Sequence, residues 1–250
     1  MVSLRSLHRP GLFWLGFYGL ILISWAGLFV MAGGWDDRSA TFWASLCLPA
    51  DRGGIPAVWG MWGLMVAAMM LPTFVPAMQT YLDLGAAGAA TKSGVVALVA
   101  GYALIWGGAA GLGAAAQIGL AQNGFLSAEG RIPTAGLSAA LLCGAGLYQF
   151  SNIKTACLAK CRMPLTFFMQ HWKPGPFRAL QMGLHLGALC LGCCWALMAL
   201  GFVGGINNLL WMGAATAFMT LEKLPDLGRK LTRPAGAALI LAGIARLIWI

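Results

Sequence analysis

The run from Gln181 to Phe202 contains no Asp, Glu, Lys or Arg. It is long and apolar enough to cross a bilayer, which takes about 20 residues. The same run holds Cys190, Cys193 and Cys194, three of the seven cysteines, and His185, one of three histidines. An ionisable side chain inside a membrane span marks a functional candidate. At about 100° per residue, Gly183, Gly187, Cys190 and Cys194 share one narrow stripe. Small residues at that spacing let another helix come close. Cys190 and Cys194 therefore read as packing residues, with metal ligation as the competing reading. Met182, His185 and Cys193 lie on the adjacent face. Their thioether, imidazole and thiol can offer soft donors to Cu(I), or less selectively to Zn(II).

Composition extends the membrane reading to the whole chain. Of 250 residues, 60% are apolar and 9% charged, and the mean hydropathy is +0.78. A soluble domain carries about 25% charged residues. The expectation is an all-α, polytopic transmembrane helical bundle forming a single integral membrane domain over residues 1–250. Seven apolar stretches can be drawn: Leu12–Ala32, Ala57–Met78, Val95–Gln117, Thr134–Phe150, Ala179–Phe202, Ile206–Leu224 and Ala235–Ile250. The first follows Arg5 and Arg9 as a signal peptide would. Its apolar run exceeds the 7–15 residues of a cleaved signal, so it reads as a retained span.

Basic residues orient the bundle. With the N-terminus cytoplasmic, the inner side receives Arg5, Arg9, Lys92, Lys154, Lys160, Arg162, Lys173, Arg178, Lys223, Arg229, Lys230 and Arg233. The outer side receives Arg38, Arg52 and Arg131, and Arg246 falls in the last span. The net charge of +9 is thus a topology signal with lipid-headgroup contacts. Membrane lipids are the expected partners, and nucleic acid is excluded.

Two further segments carry soft donors. In the second stretch Met61, Met65, Met69, Pro72 and Pro76 share a face. Two prolines four apart should kink the helix and free carbonyls that must be buried or face a cavity. Methionine columns usually fill irregular gaps. Here the column could instead continue a path of donors from the outer surface to mid-membrane, where Met182, His185 and Cys193 reach from the inner side. In the segment 151–178, Cys157 and Cys161 stand one helical turn apart, with His171 ten residues on. That set is compatible with Cu(I) or zinc. Leu165, Phe167, Phe168 and Trp172 among basic residues fit an amphipathic helix on the inner leaflet. Elsewhere, Gly107 and Gly111 assign the third stretch to helix packing, Cys143 lies in the fourth, and Cys47 sits in an outer loop near Trp35 and Trp43. Glu222 should pair with a basic residue, and Pro225 and Pro234 should bracket a basic turn. No catalytic constellation appears, so no enzyme activity is expected. A dithiol at Cys193 and Cys194 is poor, because neighbours on a helix point about 100° apart.

Several motifs stand in order: Ala67-Ala68-Met69-Met70-Leu71-Pro72, Gly146-Leu147-Tyr148-Gln149, Cys157-x3-Cys161-Arg162-x-Pro164-Leu165 and His171-Trp172. They continue with Cys190-Leu191-Gly192-Cys193-Cys194-Trp195-Ala196-Leu197-Met198, Phe202-Val203-Gly204-Gly205 and Glu222-Lys223. Together they closely resemble the bacterial family of predicted metal-binding integral membrane proteins, including a copper-supply partner of a polyphenol oxidase. The chain departs from that pattern at two positions. Leu186 stands where a histidine precedes the glycine, with His185 one position earlier, and Asn207 stands where methionine is usual. The resemblance implies a multi-pass protein of the bacterial inner membrane that binds a soft metal ion, copper above all. It would hand that ion on for maturation of a metalloprotein client. The candidate ligands are Cys193, Cys190, His185, Met182, Met69 and Met65, with Cys157, Cys161 and His171 as a cytoplasmic docking site. The alternative is a non-catalytic structural subunit of a larger membrane complex.

Overall fold

A computed structural model describes residues 10–33, 50–86, 91–127, 130–172, 174–206 and 208–248. Among these residues the chain is helical, without strands. The helices are α1 (Pro10–Gly33), α2 (Ala50–Ala86), α3 (Lys92–Gln122), α4 (Ala135–Tyr148) and α5 (Asn152–Arg162). They continue with α6 (Pro164–His171), α7 (Pro176–Ala199), α8 (Gly201–Gly204), α9 (Leu209–Glu222) and α10 (Pro225–Ile248). Five segments are long and apolar enough to cross a membrane: Phe13–Ala32, Ile55–Gly85, Lys92–Gln122, Pro176–Gly204 and Pro225–Ile248. Ala135–Tyr148 and Leu209–Glu222 are apolar but shorter.

Helix α7 holds the centre, packed against α3, α5, α4 and α9, while α1 leans on α2 and α4 pairs with α10. The α3–α7 crossing is set by glycine. A Cβ placed on Gly183 would stand 2.1 Å from the Leu98 carbonyl oxygen, and one on Gly101 would stand 2.3 Å from that of Leu180. Backbone therefore touches backbone, the approach that small residues permit between membrane helices. Gly107 and Gly111 do not make that contact. Nothing lies within 4 Å of a Cβ on Gly107, and Gly111 faces only the Trp59 ring edge. The packing glycines of α3 include Gly94 against the Tyr81 hydroxyl, Gly101, and Gly113 against the Trp62 ring.

Helix α2 runs for 37 residues, well beyond the predicted stretch at both ends. Pro72 has no N–H to give Ala68, and the Trp25 indole of α1 supplies the missing donor to that carbonyl at 3.1 Å. The freed group is thereby buried in protein, as a proline inside a membrane helix requires. Gln117 accepts from the Trp62 indole at 2.7 Å.

Two local expectations change. Residues 225–234 form the first turns of α10 rather than a turn between prolines, and Pro234 lies inside the helix. Gly228 makes this possible, because it sits so close to the Glu222 carbonyl that a Cβ would stand 2.0 Å from it. The segment after Ser151 is two short helices, α5 and α6, and α6 carries Leu165, Phe167 and Phe168 with Trp172 at its end. Phe167 and Phe168 are core residues, packed with Tyr81, His171, His185 and Trp172. Leu165, Met169 and Phe177 remain exposed. Trp35, Trp43 and Cys47 lie outside the described residues.

The crossing yields a contrast between two glycines of similar sequence context. Gly183→Ala is expected to destabilise the protein by about 1–3 kcal/mol, since the clash is with backbone that cannot swing away. Gly107→Ala meets open space and is expected to be neutral or to stabilise by about 0.5–1 kcal/mol. Thermal unfolding of the two variants in detergent checks the order; equal melting temperatures would contradict the close crossing.

Candidate metal centre

Cys190, Cys193 and Cys194 lie at i, i+3 and i+4 on α7, one turn of a single helix. All three are buried. The Cys193 and Cys194 thiols both donate back to the Cys190 carbonyl, at 3.0 and 2.8 Å. This is the local side-chain to backbone bond familiar from serine and threonine. It folds the two sulfurs toward Cys190, and the three Sγ atoms lie within 4.8 Å of one another.

Other helices close the cluster. From α2, the Met70 Sδ lies 3.8 Å from Cys194 Sγ, and Thr73 Oγ1 lies 3.9 Å from Cys190 Sγ. From α3, the Tyr102 hydroxyl lies 3.2 Å from Cys190 Sγ and donates to the Met70 carbonyl at 3.3 Å. From the end of α9, Lys223 Nζ donates to Cys190 Sγ at 3.1 Å. Four soft donors, a phenol, a hydroxyl and one ammonium thus converge from four helices.

Helix α5 adds two thiols on the same side. Cys157 and Cys161 face α7, which Gly192 admits: a Cβ there would stand 2.9 Å from Cys157 Sγ. Cys161 lies beside Cys193. That neighbour, with burial, holds the Cys161 thiol well above the ordinary cysteine range. Burial, followed by the nearby Cys193, pushes Cys157 up as well. Five of the seven cysteines are thus gathered at one level. Cys143 is apart, pressed against Gly243 with its thiol toward the Ile240 carbonyl.

The remaining candidates separate into two groups. His185 precedes Cys193 by eight residues, about 12 Å along a helix, and meets His171 instead. The two rings are edge to face with centroids 4.9 Å apart, and His171 Nδ1 lies 2.9 Å from the Phe167 carbonyl oxygen. The expected docking trio is therefore divided, with Cys157 and Cys161 at the thiol cluster and His171 at His185. Met182 is buried on the same helix, one turn before His185, and Leu186 is buried beside it. Asn207 lies outside the described residues.

Met65 and Met69 are buried but turn away from the thiols. Two small voids, of about 10 and 20 Å³, are lined by methionines from several helices. Met31, Met61, Met65 and Met212 line the first, and Met65, Met69, Met198 and Met212 the second. Each void has room for a water at most. The thioether that reaches a thiol is Met70, the neighbour of Met69 and about 100° around the helix from it. Periodicity singled out the Met61, Met65 and Met69 stripe and passed over Met70. Tyr102, Thr73 and Lys223 carried no spacing signal, although Met70 and Lys223 stand inside quoted motifs.

Thiolate and thioether donors select soft ions such as Cu(I), and thiols must lose protons to bind them. The three-thiol set with Met70 is chemically fit for copper.

Raised thiols have a direct readout. Cys157 is half-buried, and its alkylation by iodoacetamide at pH 7 should be slower than that of an unperturbed cysteine. The rate should climb only on the alkaline side of the ordinary cysteine range, followed by mass spectrometry of the modified peptide. Ordinary reactivity at neutral pH would contradict the assignment.

Residues 59–246 match the PpoB2 family, described as copper chaperone. No curated protein and no solved structure matches the chain.

Proposed function

The chain belongs to this family of copper chaperones, and from that premise we propose that it is a membrane-embedded Cu(I) carrier. It accepts the ion on two thiolates of the Cys190, Cys193 and Cys194 cluster, with the Met70 thioether beside them, and passes it on for maturation of a metalloprotein. The observation that carries the reading is the closure of three thiols to within 4.8 Å with a thioether beside them. Packing alone would not require sulfur from two helices to meet at one point. In this reading the protein is a multi-pass protein of the bacterial inner membrane. Its five long apolar segments and two shorter ones make seven spans, with the N-terminus in the cytoplasm.

The donors suggest a route. Cys157 and Cys161 stand beside the cluster, at its level, and can present thiols to an incoming ion. His171 and His185 form a pair of imidazoles nearer the cytoplasmic face, with Met182 one turn away. Beyond the cluster, Met69, Met65, Met61, Met198 and Met212 continue with neutral sulfur toward the opposite side. Cu(I) exchanges readily among low-coordinate sulfur sites, so a donor can take hold before the previous one lets go. A carrier of this kind transfers its cargo unchanged, which accords with a chaperone rather than an enzyme.

Copper content of the purified protein tests the reading. Cys190→Ser combined with Cys194→Ser is expected to abolish stoichiometric Cu(I) retention, and Met70→Leu to weaken it about tenfold, the loss of roughly 1.4 kcal/mol of ligand energy. Met69→Leu should leave the retained copper unchanged and slow its transfer to an external chelator. Undiminished copper in the double cysteine variant would refute the site.

A further inference from the structure

Resting on the copper-carrier reading, we propose that Lys223 sets the charge selectivity of the thiol cluster, favouring monovalent Cu(I) over divalent ions. Lys223 follows Glu222 at the end of α9, where its N–H donates to the Thr220 carbonyl and closes the helix. Its side chain then reaches across to α7, ending 3.1 Å from Cys190 Sγ. The neighbouring carboxylate does not cancel that charge, because Glu222 turns to Lys154 at 2.8 Å. Among the described residues Lys154 and Glu222 make the one carboxylate ion pair. The other groups on Cys190 Sγ, Tyr102 and Thr73, are neutral. The ammonium is thus committed to the cluster.

Charge bookkeeping decides what the cluster tolerates. Burying net charge is costly unless it is compensated. Two thiolates, one Cu(I) and one ammonium sum to zero, with the third thiol remaining bonded to the Cys190 carbonyl. The same two thiolates with Zn(II) leave one uncompensated positive charge, and balancing it would take the proton from the third thiol and break its bond to the Cys190 carbonyl. The repulsion between ammonium and metal scales with the metal's charge, so a divalent ion on a given donor set feels it twice as strongly. At an effective permittivity near 20 and a separation of about 4–6 Å, one unit charge changes an affinity ratio about a hundred- to a thousandfold. The Met70 thioether acts in the same direction, since zinc gains little from it.

The test compares Cu(I) and Zn(II) binding to the full-length protein in detergent, each ion supplied from a chromogenic chelator. Lys223→Leu should lower the ratio of Cu(I) to Zn(II) affinity by about a hundred- to a thousandfold, and Lys223→Arg should keep it near the wild-type value. Lys223→Gln serves as a second neutral variant should the leucine form fail to fold, and the same fall in ratio is expected. Wild-type protein that binds Cu(I), with neutral variants of unchanged ratio, overturns this inference and leaves the carrier reading standing. Wild-type protein that binds no Cu(I) overturns the carrier reading itself, and this inference with it.

Discussion

The α3–α7 crossing at Gly101 and Gly183 is the contact on which the site depends. It brings the two backbones together with no side chain between them, which fixes the depth of each helix relative to the other. Tyr102 follows Gly101 immediately, and Cys190 stands two turns beyond Gly183. Once the crossing is made, the phenol is held against the Cys190 sulfur and the Met70 carbonyl. Gly187, between them on α7, lies against Ile105 and the Tyr102 carbonyl. Side chains at Gly101 or Gly183 would push the helices apart and pull the phenol from the thiol. The packing stripe and the chemical site are therefore consecutive stretches of one helix face.

A buried ion pair fixes the other wall. Lys154 on α5 and Glu222 on α9 are almost wholly enclosed, and Arg162 donates to the Glu222 carbonyl at 2.9 Å. Taking two charges out of water costs several kcal/mol per ion before their attraction repays it, so neither partner can leave cheaply without the other. The pair anchors the helix that bears Cys157 and Cys161 to the helix that ends in Lys223. Consecutive residues of α9 thus do separate things: Glu222 secures α5, and Lys223 addresses Cys190.

Much of this was legible in the sequence. Hydropathy located the apolar segments, because burial in lipid imposes the same requirement on every one of them. The stripe of Gly183 and Gly187 was readable as a contact face from helical period alone. So was the need to satisfy carbonyls freed near Pro72, though not that Trp25 would do it. The site was less legible for a physical reason. Helical period tells which residues share a face, but not which face of another helix it meets. Met182, His185 and Cys193 are neighbours in projection yet are spread over two to three turns, so His185 finds His171 and Cys193 finds Cys161. Met70 was hidden by a regular stripe beside it, and Tyr102 and Lys223 are ordinary residues until the fold aims them.

Met69 and Met70 show how two donor regions can be joined. Being consecutive, they point to different sides of α2, one into the void shared with Met198 and Met212, the other to Cys194. On α7, Cys190, Cys194 and Met198 follow at intervals of four, so the facing helix changes from thiol to thioether at the same level. The change matters energetically. An ion held by thiolates is held by charge, with Lys223 balancing the excess, whereas a thioether offers only a neutral, polarisable sulfur. On the carrier reading, each step from Cys190 toward Met198 gives up electrostatic attraction while keeping a soft donor in reach. On that reading the hold on the cation weakens from Cys190 to Met198, a gradient set by side-chain type.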